Sequence, residues 1–168
     1  MYNLGDHDEK KKKLLSFFAV LPAERISFDT LQSILPSWKT LEDTLLALAK
    51  KGWLDYNELN TSFKVTPIIQ EITKRKNLNL LEDCHQLVGA LKDKLNFDPG
   101  TGQFTNASYV EVILYARYTE ALISSVEQTD YKFAQLLENL VSYHTTCGIL
   151  AKALPYCQLY PHFSNKLH

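Results

Sequence analysis

Proline sets the texture of the first half of this chain. Pro22, Pro36 and Pro67 all fall within the first 76 residues, and a proline inside a helix removes a hydrogen bond and clashes with the preceding turn. With Gly52 as a fourth interruption, only short helices fit between them. Lys11 to Leu21 reads as the first, with Leu14, Leu15, Phe17, Phe18 and Leu21 inward,. An extended piece at Arg25–Ser27 leads to Asp29, which with Gln32 forms a weak capping box for a second helix ending at Leu35,. Ser37 or Thr40 caps a third, whose apolar positions Leu41, Leu45, Leu46, Leu48 and Ala49 keep helical spacing,. Lys50 and Lys51 suit a helix C-terminus, and Gly52 stops it,.

Beyond Gly52 the period changes from helical to alternating. Trp53–Tyr56 and Ser62–Val65 read as two strands joined by the turn-rich residues 57–61,. Trp53 is expected to be buried between this hairpin and the first helix, against Phe17 or Phe18. Pro67 sits where proline favours a helix start, so a fourth helix follows to Lys76,. Three helices followed by a hairpin make a winged-helix plan for residues 10–76, with residues 1–9 as a disordered leader.

Residues 77–168 have a different texture: long apolar periodic stretches and no strand pattern, expected to be all helix,. Asn79 and Glu82 frame the first helix, and residues 98–103 read as a loop. Ser108 with Glu111 is a capping box for a helix that is apolar nearly all round and therefore expected to be central,. Asp130 begins another helix that ends at Gly148, and the last, from Ile149, should be kinked or shortened by Pro155,. The overall expectation is a mainly α protein: a three-helix winged helix with a small β-hairpin, then TPR-like α-helical hairpins.

Two segments carry a family resemblance. Phe17–Pro22, Leu45-x-x-Leu48-x-x-Lys51-Gly52-Trp53-Leu54 and Phe63–Glu71 resemble the winged-helix segment of bacterial signal-transduction ATPases of the NB-ARC (STAND) type. Phe133-Ala134-x-x-Leu137-x-x-Leu140, followed by Gly148 and Lys152-Ala153-Leu154, is similar to the start of a tetratricopeptide array,. In that family the second strand of the wing ends in a His that touches the nucleotide phosphates; Thr66 stands at the matching position. The ATPase signature GxxxxGK[ST] does not occur, and Gly100-Thr101-Gly102 lacks the following Lys, so no cofactor is expected,. The resemblance implies a non-enzymatic regulatory and protein-interaction module, part of a signal-transduction ATPase, that binds a peptide or a neighbouring domain through its helical repeats.

Charge separates this reading from its alternative, a winged-helix DNA-binding transcriptional regulator with a helical dimerisation tail. Lys and Arg number 18 against 19 Asp and Glu, giving a net charge of −1. Glu42 and Asp43 open the would-be recognition helix, and the wing offers Glu58 without Lys or Arg. Phosphate neutralisation dominates DNA affinity, so DNA is not an expected partner, and Lys10–Lys13 is read as a solvated charge run,.

Catalytic and metal signatures are missing. His144-x-x-Cys147 supplies two ligands where a site needs three or four,, and the carboxylate pairs Glu42-Asp43 and Glu82-Asp83 sit in first helical turns that favour negative charge,. Neither a catalytic nor a metal residue is assigned. The candidate interaction residues are Tyr143, His144, Leu150, Tyr156, Leu159 and Tyr160, with a protein, a peptide or a second copy of the chain as partner. Three unpaired-looking cysteines fit a reducing, cytoplasmic location,. The apolar run after Lys13 imitates a signal peptide, but Asp6, Asp8 and Glu9 precede it and no small-x-small cleavage site follows,. No apolar run is long enough to span a bilayer, so no membrane partner is expected,.

Overall fold

The computed structural model describes residues 8–126 and 131–164, with side-chain surroundings for 8–126 and 132–158. The described residues are mainly helical, with eight α-helices and five short strands. They divide into two compact units, Met1–Leu87 and Val88–His168. Of the expected leader, residues 1–7 lie outside the described residues, whereas Asp8 caps the first helix through Lys11 N–H and Glu9 already belongs to it.

Helix α1 (Glu9–Val20) is the buried centre of the N-terminal unit, because every residue from Leu14 to Val20 is covered. Its C-terminal carbonyls would be orphaned where Pro22 ends the chain direction. Gln70 from α4 (Pro67–Lys76) satisfies two of them, its Nε2 donating to the Phe18 and Leu21 carbonyls at 2.9 and 2.8 Å. A second polar knot ties the other side of α1. Asn77 Nδ2 donates to Ser16 Oγ and to Asp83 Oδ2, both at 2.7 Å. Ser16 Oγ lies 2.9 Å from the Lys12 carbonyl and 3.0 Å from Asp83 Oδ2, and its single proton serves one of the two,. Asp83 lies on α5 (Leu80–Lys94), whose first half belongs to this unit and whose second half belongs to the next.

Between α1 and α4 the chain runs through β1 (Ile26–Ser27), α2 (Phe28–Ile34), α3 (Leu41–Lys50), β2 (Asp55–Asn57) and β3 (Ser62–Lys64). The sheet is antiparallel in the order β1-β3-β2, with Ile26 opposite Phe63 and Tyr56 stacked on Phe63 at 4.9 Å. Two local expectations are corrected here. Ser27, not Asp29, caps α2: Ser27 is extended and its Oγ accepts Thr30 N–H, while Asp29 already lies in the first turn. Ser37 does not cap α3 either. Thr40 holds the cap position without a side-chain bond, and Ser37 Oγ accepts from Gln86 at 3.3 Å.

The strand at Trp53 starts two residues late for a clear reason. Gly52, at φ +75°, ends α3 with paired 5→2 and 6→1 bonds: Gly52 N–H to the Ala49 carbonyl and Trp53 N–H to the Leu48 carbonyl, 2.9 and 3.0 Å,. Trp53 N–H is thus consumed by the helix end and cannot join the ladder. The hairpin tip is a single 3-10 turn, Glu58–Asn60, followed by Thr61 at φ +45°. A β-branched residue rarely adopts that left-handed conformation; the Thr61 carbonyl there accepts Phe28 N–H at 2.8 Å.

In the C-terminal unit, the second half of α5 leads to a small hairpin, β4 (Phe97–Asp98) with β5 (Gln103–Phe104). The expectation of an all-helical segment with a plain loop is corrected: Phe97 and Phe104 pair across the hairpin at 5.3 Å, and Asp98 ties the turn by accepting from Gly100 N–H and Thr101 Oγ1. Helix α6 (Tyr109–Ser125) begins with the expected capping box of Ser108 and Glu111. It buries Val112, Tyr115, Ala116, Tyr118, Thr119 and Leu122 but leaves Tyr109, Val110 and Ile113 exposed, so it is not buried all round. Helices α7 (Tyr131–Thr146) and α8 (Leu150–Ser164) form a hairpin. The expected start at Asp130 lies outside the described residues. Gly148, at φ +71°, closes α7 as Gly52 closes α3, with Gly148 N–H bonded to the Thr145 carbonyl and Ile149 N–H to the His144 carbonyl. Pro155 does not shorten α8, which continues to Ser164. The carbonyl its missing N–H strands is that of Ala151, an exposed residue,.

Candidate interaction surface

The α7–α8 hairpin sorts its side chains by helical phase. Phe133, Leu136, Leu137 and Leu140 on α7 and Ala153 on α8 are buried. Leu150, Leu154 and Cys157, spaced four and three apart, form an exposed stripe on α8 that flanks buried Ala153, with Leu150 exposed at 64% and Leu154 at 61%,. A second apolar surface lies on α6. Tyr109 stands at the edge of a cleft of about 570 Å³ lined also by Phe104, Ala107, Val112 and Cys147, with Val110 and Ile113 exposed on the same helix.

The predicted interaction residues separate under this geometry. Tyr143 and His144 are 6% and 1% exposed, so they belong to the interior of the unit and not to an open face. They share the side of α7 that carries Leu136, Leu137 and Leu140, and packing covers that side,. Tyr156 is half-buried and Leu150 is exposed; Leu159 and Tyr160 lie outside the residues whose side chains are described. Thr66 is exposed and its Oγ1 accepts Ile69 N–H as the N-cap of α4. Tyr109, Val110 and Ile113 escaped the sequence reading because a helix apolar on every side gives no phase with which to choose its outer face.

His144 is the centre of a small charged cluster. Its Nε2 lies 3.0 Å from Glu120 Oε1 on α6, off the line of the ring N–H, and Nδ1 has no acceptor. Lys152 Nζ on α8 pairs with the same carboxylate at 2.9 Å. The Tyr156 ring stacks on the imidazole, 5.9 Å away and nearly parallel, and the Tyr143 ring sits at 5.1 Å. Burial pushes the His144 pKa down, and Lys152 adds to that shift against the opposing pull of Glu120. The unfolded chain therefore binds a proton more readily than the folded one. The contribution of His144 to stability is fully present above the unfolded histidine value of about 6.5 and is lost as pH falls from there through its lower folded value. Urea unfolding at pH 7.5 and 5.5 should show lower stability at the acid end, and His144→Gln should flatten the difference.

Cysteine chemistry is equally divided. Cys84 is fully buried, its Sγ donates to the Ser16 carbonyl at 3.7 Å, and burial, aided by the Asp83 charge, raises its pKa to about 12. At pH 8 about one Cys84 in ten thousand is thiolate, which leaves it inert. A disulfide reagent should label exposed Cys157 in the native protein and reach Cys84 only after denaturant is added; prompt native labelling of Cys84 would contradict its burial.

Among the described residues no three His, Cys, Asp or Glu side chains are grouped so as to hold a metal ion. None of the described helices is long and apolar enough to cross a membrane. No protein-family model matches the chain, and comparison with curated proteins and with solved structures returns no match either.

Proposed function

We propose that this protein is a non-enzymatic regulatory and protein-interaction module, built as a winged helix followed by TPR-like helices, of the kind found in signal-transduction ATPases. The order α1-β1-α2-α3-β2-β3, with β1 set against β3, supports the winged-helix reading. An α7–α8 hairpin closed by a left-handed glycine supports the second part. The observation that carries the function is the exposed Leu150–Leu154–Cys157 stripe along the flank of α8, because a repeat unit of this type leaves an apolar surface for its neighbour or ligand,. A peptide or a neighbouring domain docks there through apolar side chains at helical spacing.

Selection of amphipathic peptides on the immobilised chain tests this. Binders with apolar residues at i and i+4 are expected, with affinity lost in Leu150→Glu/Leu154→Glu while the melting temperature is unchanged. Sedimentation of the chain over a wide concentration range reports whether a second copy takes the same place. Failure to select any such peptide, together with strictly monomeric behaviour, removes the α8 face as an interaction surface.

A further inference from the structure

We propose that the N-terminal unit binds a small phosphate-bearing anion in a pocket between the start of α1 and the loop joining α2 to α3. The pocket measures about 520 Å³, within the range of small-ligand sites,. Its walls carry Lys10 and Lys13 from α1, Lys39 and Trp38 from the loop, and the hydroxyls of Ser37 and Thr40.

Helical phase converts the run Lys10–Lys13 into two different pairs. Lys11 bonds Asp8 at 2.6 Å and Lys12 bonds Glu9 at 3.0 Å, so those charges are answered locally. Lys10 and Lys13, three apart and on one face, have no ion-pair partner among the described residues, and neither has Lys39. The sole carboxylate on the pocket wall is that of Glu9, already engaged by Lys12. Three unanswered cations therefore converge on one concavity of a chain whose net charge is −1. A cleft of one sign with protein walls focuses the field and concentrates counter-ions.

The neutral groups agree with the cations. Ser37, Thr40 and Gln86 can all donate into the pocket, the last already reaching Ser37 Oγ. Trp38 is held edge-on against Phe17 at 5.9 Å, which fixes its ring on the pocket wall. Phosphate, with several acceptor oxygens, answers such a donor set better than a single carboxylate. A small anion is favoured over a duplex because Glu42 and Asp43, exposed just beyond Thr40, would meet the next phosphates of a nucleic-acid backbone with like charge,.

The test titrates pyrophosphate into the full chain at constant ionic strength, followed by calorimetry and by tryptophan fluorescence. Trp38 lines the pocket, while Trp53 is buried in the core. A saturable response is expected, weakened about tenfold or more in Lys10→Gln/Lys13→Gln, the size of losing about 1.4 kcal/mol of charged contacts. Lys50→Gln/Lys51→Gln, away from the pocket, should bind as the parent does. Circular dichroism melting checks the fold of each variant, and Lys39→Gln serves should the double variant not fold. Absence of heat and fluorescence change overturns the proposal, as does binding that ignores the pocket lysines. Tight binding of a short random duplex through Lys10 and Lys13, with none of pyrophosphate, would overturn it in favour of a nucleic-acid contact.

Discussion

Trp53→Ala should destabilise the N-terminal unit by about 3–5 kcal/mol, the range for deleting a large buried aromatic side chain. Trp53 is only 5% exposed, and it follows directly on the glycine that ends α3. Its N–H is fixed to the Leu48 carbonyl, so the backbone cannot slide to fill the space left behind. Against a total stability of about 5–15 kcal/mol for a typical domain, such a loss is most of the margin. Urea denaturation followed by circular dichroism measures it, and Trp53→Phe should recover part of the loss. A near-neutral Trp53→Ala would contradict the burial of this ring.

In the C-terminal unit the contrast between two leucines is the sharper test. Leu140 on α7 is wholly buried, and Leu140→Ala should cost about 2–5 kcal/mol,. Leu154 on α8 is largely exposed, and Leu154→Ala should change stability by no more than about 0.5 kcal/mol while weakening peptide capture,. The two substitutions are chemically identical, so the difference isolates what burial contributes. Equal costs would mean that the Leu150–Leu154–Cys157 flank of α8 is covered within the molecule and is not available to a partner.

Local chemistry was the legible part of the sequence. Gly52 and Gly148 mark helix ends because only their positive φ lets the last carbonyls be satisfied, and Ser108 with Glu111 announces α6,. Pro67 opens α4 as its missing N–H allows,. What escaped depends on partners distant in the chain. The extended piece at Arg25–Ser27 is legible, but its pairing of Ile26 with Phe63 is not, and the pairing of Phe97 with Phe104 makes a two-residue ladder that no alternation could reveal. Tyr143 and His144 look like face residues until α6 and α8 cover them. Lys10 and Lys13 differ from Lys11 and Lys12 only through Asp8, Glu9 and the remote Lys39, a distinction that a count of charges erases.

Thr61 carries a consequence for how the hairpin tip opens. Its left-handed backbone is strained for a β-branched residue, and the neighbouring Leu59 is 98% exposed, so few contacts oppose release of this turn,. The first amide of α2, that of Phe28, is nonetheless held by the Thr61 carbonyl across the sheet edge. Deuterium uptake at Phe28 therefore reports the opening of the distant tip and not the fraying of the helix in which Phe28 sits, and relief of strain at one residue sets the exchange rate of another thirty-three positions earlier in the chain.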